Sequence, residues 1–394
     1  MREIFSNKKE TTLLLIFFLI EFTRGAFLFT FLPLYTVKYL SLSIIIPGLA
    51  VSTHYLVETF CKGAAGWHLD RRGHSILFLG LFLSLIALLT MKLMPSSPVL
   101  LAGSALFGLG VSPVWLAVIS AIAPVQKKDR ASRMGLIFTV WLAGGGSGPV
   151  IINFFIARNY NLAFWLIIAL WGIALFLAAT FLFIKPGNIV TTEASFSPFK
   201  KELSRLAKNQ AVTRVLLPGM FLQTLAGGLL LPILPIHAQN HLGLNPNQYG
   251  ILLLVGGAAA AIAFLPMGRL ADRISNKILL TMGFGMSAFF LGLFITARSP
   301  FSAYLLAGLV GFSYAILLPA WNNFLAKAIR PDRQATGWGI FATVEGMGAA
   351  IGPALGGLIA KGMGTPATIL FSTLLLASMA CFYSFYPVER FFAK

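Results

Sequence analysis

Charge is scarce in this chain. Only 11% of its 394 residues are Asp, Glu, Lys or Arg, where an ordinary soluble domain carries about 25%. Too few charges are present to wet a surface all round, which excludes an ordinary soluble protein. Acid is scarcer still, with 12 Asp and Glu against 30 Lys and Arg. Cysteine is nearly absent: Cys61 and Cys381 lie in opposite halves, inside apolar segments. That excludes a disulfide framework and a paired metal site, and both are expected as core residues. No metal-ligand spacing and no nucleophile with a nearby base stands out, so an enzyme is the least favoured class and no cofactor is expected. Long polar stretches are also missing, so any chemistry belongs to the apolar part.

What is present is oil. Hydrophobic residues make up 57% of the chain, and the mean hydropathy is +0.83. The net charge of +18 does not make this a nucleic-acid binder, because the basic residues do not cluster on one face with aromatics between them. The start, "MREIFSNKKETTLLLIFFLI", looks like a signal peptide, yet no small-residue cleavage site follows and the run continues past Arg24. It is expected to be the first transmembrane helix.

Apolar runs of the length that crosses about 30 Å of hydrocarbon recur twelve times. The expected spans are 12–36, 44–65, 76–94, 98–122, 134–157, 162–184, 212–236, 247–267, 278–297, 301–326, 336–360 and 366–386. With Lys92 and Arg214, at the ends of their spans, counted to the nearer side, Lys and Arg number 23 on the side of the N-terminus and 5 on the other, and Arg24 and Lys62 lie deeper inside spans. Both termini are therefore expected in the cytoplasm of a multi-pass cell-membrane protein. The longest connection, 185–211, is polar and basic with apolar residues at helical spacing, and reads as a cytoplasmic linker with a short surface helix.

The linker separates two similar halves. Trp115 in "SPVWLAVISAI" matches Trp321 in "LPAWNNFLAKA" at an offset of 206; Asp70 matches Asp272 at 202, and Pro149 matches Pro353 at 204. The expected fold class is all-α membrane protein, with twelve transmembrane helices in two six-helix bundles, 1–184 and 212–394. Duplicated bundles of this kind rock about a central cavity and give alternating access.

"GWHLDRRGHS" at 66–75 and "GRLADRISNK" at 268–277 resemble the loop signature of the major facilitator superfamily, G-x-L-a-D-r-x-G-r-r. The resemblance covers the whole chain. It makes Asp70, Arg71, Asp272 and Arg273 candidates for a latch that holds one conformation, with an Asp at a neighbouring helix N-terminus. The pattern is imperfect: His68 and His74 replace Leu and Arg, and Ser275 replaces the second Gly. These histidines are expected to be solvated. "GAAIGPALGG" at 348–357 resembles the superfamily's antiporter signature, and "GGGSGPVIIN" at 144–153 keeps its first part. Small residues at every fourth position allow close helix packing, and packing alone is as good a reading as gating.

Charges inside the spans are more informative, because a charge at the bilayer centre costs about 2.5–3.5 kcal/mol on insertion scales. Glu21 and Arg24, three apart, share a helix face and can pair. His54, Glu58 and Lys62 form a second stripe at i, i+4 and i+8, and Glu345 sits in the eleventh span. Arg24 stays charged at any physiological pH and holds Glu21 ionised, whereas Glu58 can be neutralised where water is excluded. Glu58 is thus the first choice for a proton carrier and Glu21 the second; a purely structural ion network is the alternative. Aligned on Pro33 and Pro235, Glu21 meets Gln223, Arg24 meets Ala226, His54 meets Gly256 and Glu58 meets Ala260. If both halves line one cavity, it is polar on one side and apolar on the other, which suits an amphiphile. Trp115, Trp141 and Trp321 lie within spans and could stack on sugar rings or simply pack in the core.

Five stretches, "EFTRG", "STHYLVE", "GVSPVWL", "LPILP" and "LLPAWNNF", are similar to the lipoteichoic-acid glycolipid flippases of Gram-positive bacteria. The resemblance implies a proton-coupled antiporter that moves diglucosyl-diacylglycerol from the inner to the outer leaflet. It places the headgroup in the first half, at Glu21, Arg24, Glu58, Trp115 and Trp141, with His54 beside them, and the acyl chains in the second. Glu58 departs from the family's Asp by one methylene. The expected partners are a membrane lipid or other amphiphile and protons, with no nucleic acid, for a protein acting as a monomer. A multidrug/proton antiporter is the first alternative, and a lipid-binding receptor or scaffold the second.

Overall fold

The computed structural model describes residues 7–72, 75–123, 130–179, 204–210, 212–271, 273–328 and 334–386. Twelve long helices follow the expected apolar runs. In the first half they are α1 (Lys8–Tyr39), α2 (Ile45–Arg72), α3 (Ser75–Leu93), α4 (Ser97–Ile122), α5 (Arg130–Ile156) and α6 (Tyr160–Ala179). In the second they are α7 (Val212–Asn240), α8 (Pro246–Ala271), α9 (Asn276–Phe294), α10 (Pro300–Ala328), α11 (Gln334–Met363) and α12 (Thr365–Phe385). Residues 204–208 form a short helix in the connection between the halves.

Local chemistry fixes the helix ends. Asn7 accepts from Lys9 N at the start of α1 (3.1 Å). Asn245 and Gln248 exchange backbone-to-side-chain hydrogen bonds at 2.9 Å, a reciprocal cap that opens α8. Gly364, at φ +86°, turns the chain into α12 with Pro366 in the first turn. Among the described residues, eleven helices are apolar and long enough to cross a membrane. The exception is α2, whose 28 residues have the length but whose middle carries Thr53, His54, Glu58 and Lys62. It also runs on to Arg72, so Asp70 and Arg71 belong to its last turn and not to a loop.

The chain divides into two compact units, Met1–Thr191 and Thr192–Lys394. In the first, α1 lies against α5 and α6, α2 against α4, and α3 against α4 and α6. In the second, α7 lies against α11 and α12, α8 against α10, and α9 against α10 and α12. The neighbour pattern is the same, shifted by six helices. Each core also anchors one large polar aromatic: Trp171 donates its indole N–H to Leu81 O (2.9 Å), and Tyr383 donates its hydroxyl to Val215 O (3.0 Å).

Small residues set the closest approaches. A Cβ added at Gly148 would stand 2.0 Å from Phe22 O of α1, and one at Gly352 would stand 2.7 Å from Gly228 Cα of α7. The glycines of both signatures therefore seat α5 on α1 and α11 on α7, and Pro149 and Pro353 meet the partner helix at Gly25 and Gly228, each 3.2 Å from an added Cβ. Cys61 is half-buried and Cys381 exposed, which corrects the expectation that both are core. The outward face of a membrane helix is itself apolar, so a small apolar residue has no reason to turn inward.

The same contacts correct the alignment of the halves. Gly144 and Gly148 oppose Phe18 O and Phe22 O; Gly348 and Gly352 oppose Phe221 O and Leu225 O. The equivalence of α1 and α7 is thus 203 here, so Glu21 corresponds to Thr224 and Arg24 to Gly227. The proline landmarks lie beyond an extra residue. α1 widens into π-helical turns at Ala26–Phe31 and Tyr35–Tyr39, with Leu32 N bonding Phe27 O, whereas α7 tightens, with Leu231 N bonding Gly228 O. A π-turn accommodates one inserted residue. The pairing of His54 with Gly256 stands: an added Cβ at Gly108 meets His54 O, and one at Gly311 meets Gly256 O.

Candidate functional site

The ionisable side chains of α1 and α2 meet around one guanidinium. Arg24 Nη2 lies 2.9 Å from Glu21 Oε2 on its own helix, and Arg24 Nη1 lies 3.2 Å from Glu58 Oε2 on α2. Glu58 Oε1 is 3.0 Å from Lys62 Nζ, one turn further along α2. His54 Nε2 stands 3.6 Å from Glu58 Oε2, an electrostatic neighbour at more than hydrogen-bond length. Glu21, His54 and Glu58 are buried, while Lys62 reaches outward with its side chain 41% exposed.

Each position has a packing reason. The backbone of α1 beside Glu21 is pressed against Gly144 of α5, where an added Cβ would lie 3.1 Å from Glu21 Cβ. α2 is fixed at the His54 backbone by Gly108 of α4, and the His54 ring packs on Phe107 (5.2 Å between centroids). Arg24 then bridges two helices that are each held by a different neighbour. Its planar fork serves two carboxylates at once, which a lysine could not do with the same geometry. In a low-dielectric setting such a cluster is sensitive to every charge added or removed.

The expected pair and the expected stripe are both present, and they form a single network. That union changes the ranking argument for the carboxylates. Glu58 has Arg24 on one oxygen and Lys62 on the other, so it is the more densely paired of the two, while Glu21 relies on Arg24. Sequence spacing shows contacts along a helix and carries no signal for a bond between residues 34 positions apart.

The tryptophans separate. Trp115 is half-buried between Phe17 and Phe138, with ring centroids at 5.7 and 5.4 Å, and Trp141 is exposed on α5, one turn before Gly144. Trp321 is 1% exposed and packed against Phe284, Tyr383 and Gly219. Of the two readings the sequence left open for Trp321, stacking on a substrate and core packing, its burial favours core packing. Of the latch residues, Asp272 lies outside the described residues, as does His74, and nothing is described of the side chains of Asp70 and Arg71. Arg273 is exposed in the turn after α8. His68 is on α2, its ring edge-on to Trp67, and not in a loop.

One buried ion pair was not singled out in the sequence. Arg133 of α5 is 2% exposed, lies 2.8 Å from Glu10 of α1 and donates to Ile122 O at the end of α4 (3.1 Å). As one of many basic residues beside an apolar run, it resembles an ordinary solvated charge.

Comparison with known proteins agrees with this architecture. The family model described as Major Facilitator Superfamily matches residues 13–217 and 216–394. Relatives named proton-coupled antiporter flippase LtaA match along nearly the whole chain. The one from Staphylococcus saprophyticus is 32% identical over 391 residues, covering 98% of this chain and 96% of the relative. That from Staphylococcus aureus strain USA300 is 30% identical over 401 residues, covering 99% and 98%. Among solved structures, a bacterial homologue of the human lysosomal transporter Spinster, inward-facing and unoccupied, superposes with a TM-score of 0.77 at 16% identity, covering 97% of this chain and 96% of the other. A mutant of the nucleoside transporter NupG gives 0.76 at 13% identity, covering 95% and 98%. At such identities these two structures speak for the fold alone.

Proposed function

Since the chain belongs to the major facilitator superfamily, we propose that it is a proton-coupled antiporter flippase carrying a glycolipid of the diglucosyl-diacylglycerol type from the inner to the outer leaflet by alternating access. It is a multi-pass membrane transporter and not an enzyme. The observation that carries the substrate class is the asymmetry of the duplicated helices. The first unit gathers Glu21, Arg24, His54, Glu58 and Lys62 in one network, where the second has Thr224, Gly227, Gly256 and Ala260. A sugar headgroup needs donors and acceptors together with flat aromatic faces, and the first unit offers these with Trp115 and Trp141 nearby. Acyl chains need only apolar surface.

Coupling follows from the shared guanidinium. Glu21, which relies on Arg24 alone, and Glu58 are the two carboxylates that take up a proton on one side of the membrane, and protonating either releases Arg24 from one of its two partners. The ionised carboxylates also accept hydrogen bonds from the headgroup hydroxyls, so proton and lipid compete for the same carboxylates, as antiport requires. Inward movement of each proton charge across 100 mV supplies about 2.3 kcal/mol. Asp70, Arg71, Asp272 and Arg273 hold one conformation from the cytoplasmic side, where both termini and the 185–211 linker lie.

The test is leaflet movement of labelled diglucosyl-diacylglycerol in proteoliposomes, with and without a pH gradient. Glu58→Gln and Glu21→Gln should each abolish the gradient-dependent component while the protein elutes as wild type. Unchanged pH dependence in both would sink the assigned roles, and efflux of a cationic dye without lipid movement would favour an exporter of hydrophobic compounds.

A further inference from the structure

Among the residues whose side chains are described, four carboxylates lie in the long helices: Glu10, Glu21, Glu58 and Glu345. Three have a cation at hand. Glu10 is 2.8 Å from Arg133, Glu21 is 2.9 Å from Arg24, and Glu58 is within 3.2 Å of both Arg24 and Lys62. Glu345 makes no ion pair and no hydrogen bond among the described residues.

Its surroundings are short of charge. Glu345 is half-buried shortly before the middle of α11, and with Gly348, Gly352 and Gly356 it occupies the stripe that faces α7. The ionisable residues of α7 are Arg214 and His237. Arg214 is at the start of the helix, beside Met379 and Phe382 of α12, and His237 is at its far end, bonded to Thr365 (2.9 Å). α12 carries Cys381 and Tyr383, and the Tyr383 hydroxyl is committed to Val215 O. From α10, Tyr314 lies within electrostatic range of Glu345; Tyr304 is two to three turns away on the same helix, and the side chain of Lys327 is not described. On α11 itself, Lys361 lies more than four turns further on.

The contacts of Gly144 and Gly348 make Glu345 the counterpart of Trp141, the exposed aromatic of the first unit. The duplicated scaffold thus places a lone carboxyl where its other copy places a ring. A carboxylate in a membrane helix with no cation partner is disfavoured unless water or a proton reaches it.

We propose that Glu345 is a proton-binding site of the second unit, separate from the Arg24 network. It is neutral while its surroundings are dry and ionises when water enters. Its role in coupling rests on the transport reading above, but proton binding itself does not.

Infrared difference spectra of the purified protein, recorded on stepping from about pH 8 to about pH 5, read the site directly. The wild type should gain a carboxylic-acid carbonyl band that Glu345→Gln lacks and Glu345→Asp shifts, while Glu58→Gln keeps it. Gel-filtration elution matching wild type verifies folding, and the Asp variant preserves the test should Gln fail to fold. Identical difference spectra in wild type and Glu345→Gln overturn the proposal. In proteoliposomes, losing one coupled proton lowers the steady-state lipid ratio between leaflets about tenfold per pH unit of gradient. A band lost on substitution without any lipid movement in wild type would leave the proton site standing and remove the flippase reading instead.

Discussion

Arg24→Gln is the most discriminating single change, because one guanidinium serves two carboxylates. The substitution leaves Glu21 without the cation at 2.9 Å and Glu58 without the one at 3.2 Å. Breaking a buried ion pair by removing one partner costs about 3–5 kcal/mol, since the remaining charge is stranded. Glu58 keeps Lys62 at 3.0 Å, although that side chain is 41% exposed and its attraction is screened. The loss therefore falls mainly on Glu21, towards the lower end, about 3 kcal/mol, or roughly a hundredfold in the folding equilibrium. Adding Glu21→Gln to Arg24→Gln removes the stranded charge and should recover at least half of the loss. Unfolding of the four proteins in one detergent, wild type, both singles and the double, completes the cycle. An Arg24→Gln protein within about 0.5 kcal/mol of wild type, or a double no better than the single, would refute the view that Arg24 neutralises both carboxylates.

Two further outcomes follow from the packing. Gly148→Leu and Gly352→Leu each force a side chain into the partner backbone and should cost about 1–3 kcal/mol or more, seen as lost monodispersity, whereas Gly146→Leu, with open space at its Cβ, should behave as wild type. Trp321→Ala should cost about 3–5 kcal/mol of stability yet leave the lipid preference of surviving protein unchanged, while Trp141→Ala should leave stability intact and weaken lipid movement; the reverse pattern would restore Trp321 to the substrate.

The spans and the duplication were legible because membrane thickness imposes a length on every apolar run. Helix ends were less so: hydropathy reports where oil stops, and α2 continues as a helix through "LDRR" after its apolar run has ended. The stripe on α2 and the Glu21 and Arg24 pair were readable from helical spacing. Their union through Arg24 and Glu58 was not, since it depends on how α5 and α4 seat the two helices. The one-residue shift between α1 and α7 was hidden for a different reason. The landmark prolines flank the wide turns, and the extra residue is visible only through the glycines on the other side. Trp321 carried the same local sequence signal as Trp115, and only burial separates them.

The ends of α4 and α10 meet one requirement in two ways. Ile122 and Ala328 are the same position in the two copies, and each offers its carbonyl to an arginine: Arg133 at 3.1 Å in one, Arg205 at 3.1 Å in the other. The arginines are not counterparts, for one opens α5 and the other precedes α7. A helix terminus leaves its last carbonyls without intrahelical donors, and each copy fills this one with a donor from a different stretch of chain. What the two copies share here is the acceptor and not the residue that fills it, so aligning the halves by identity would miss the correspondence.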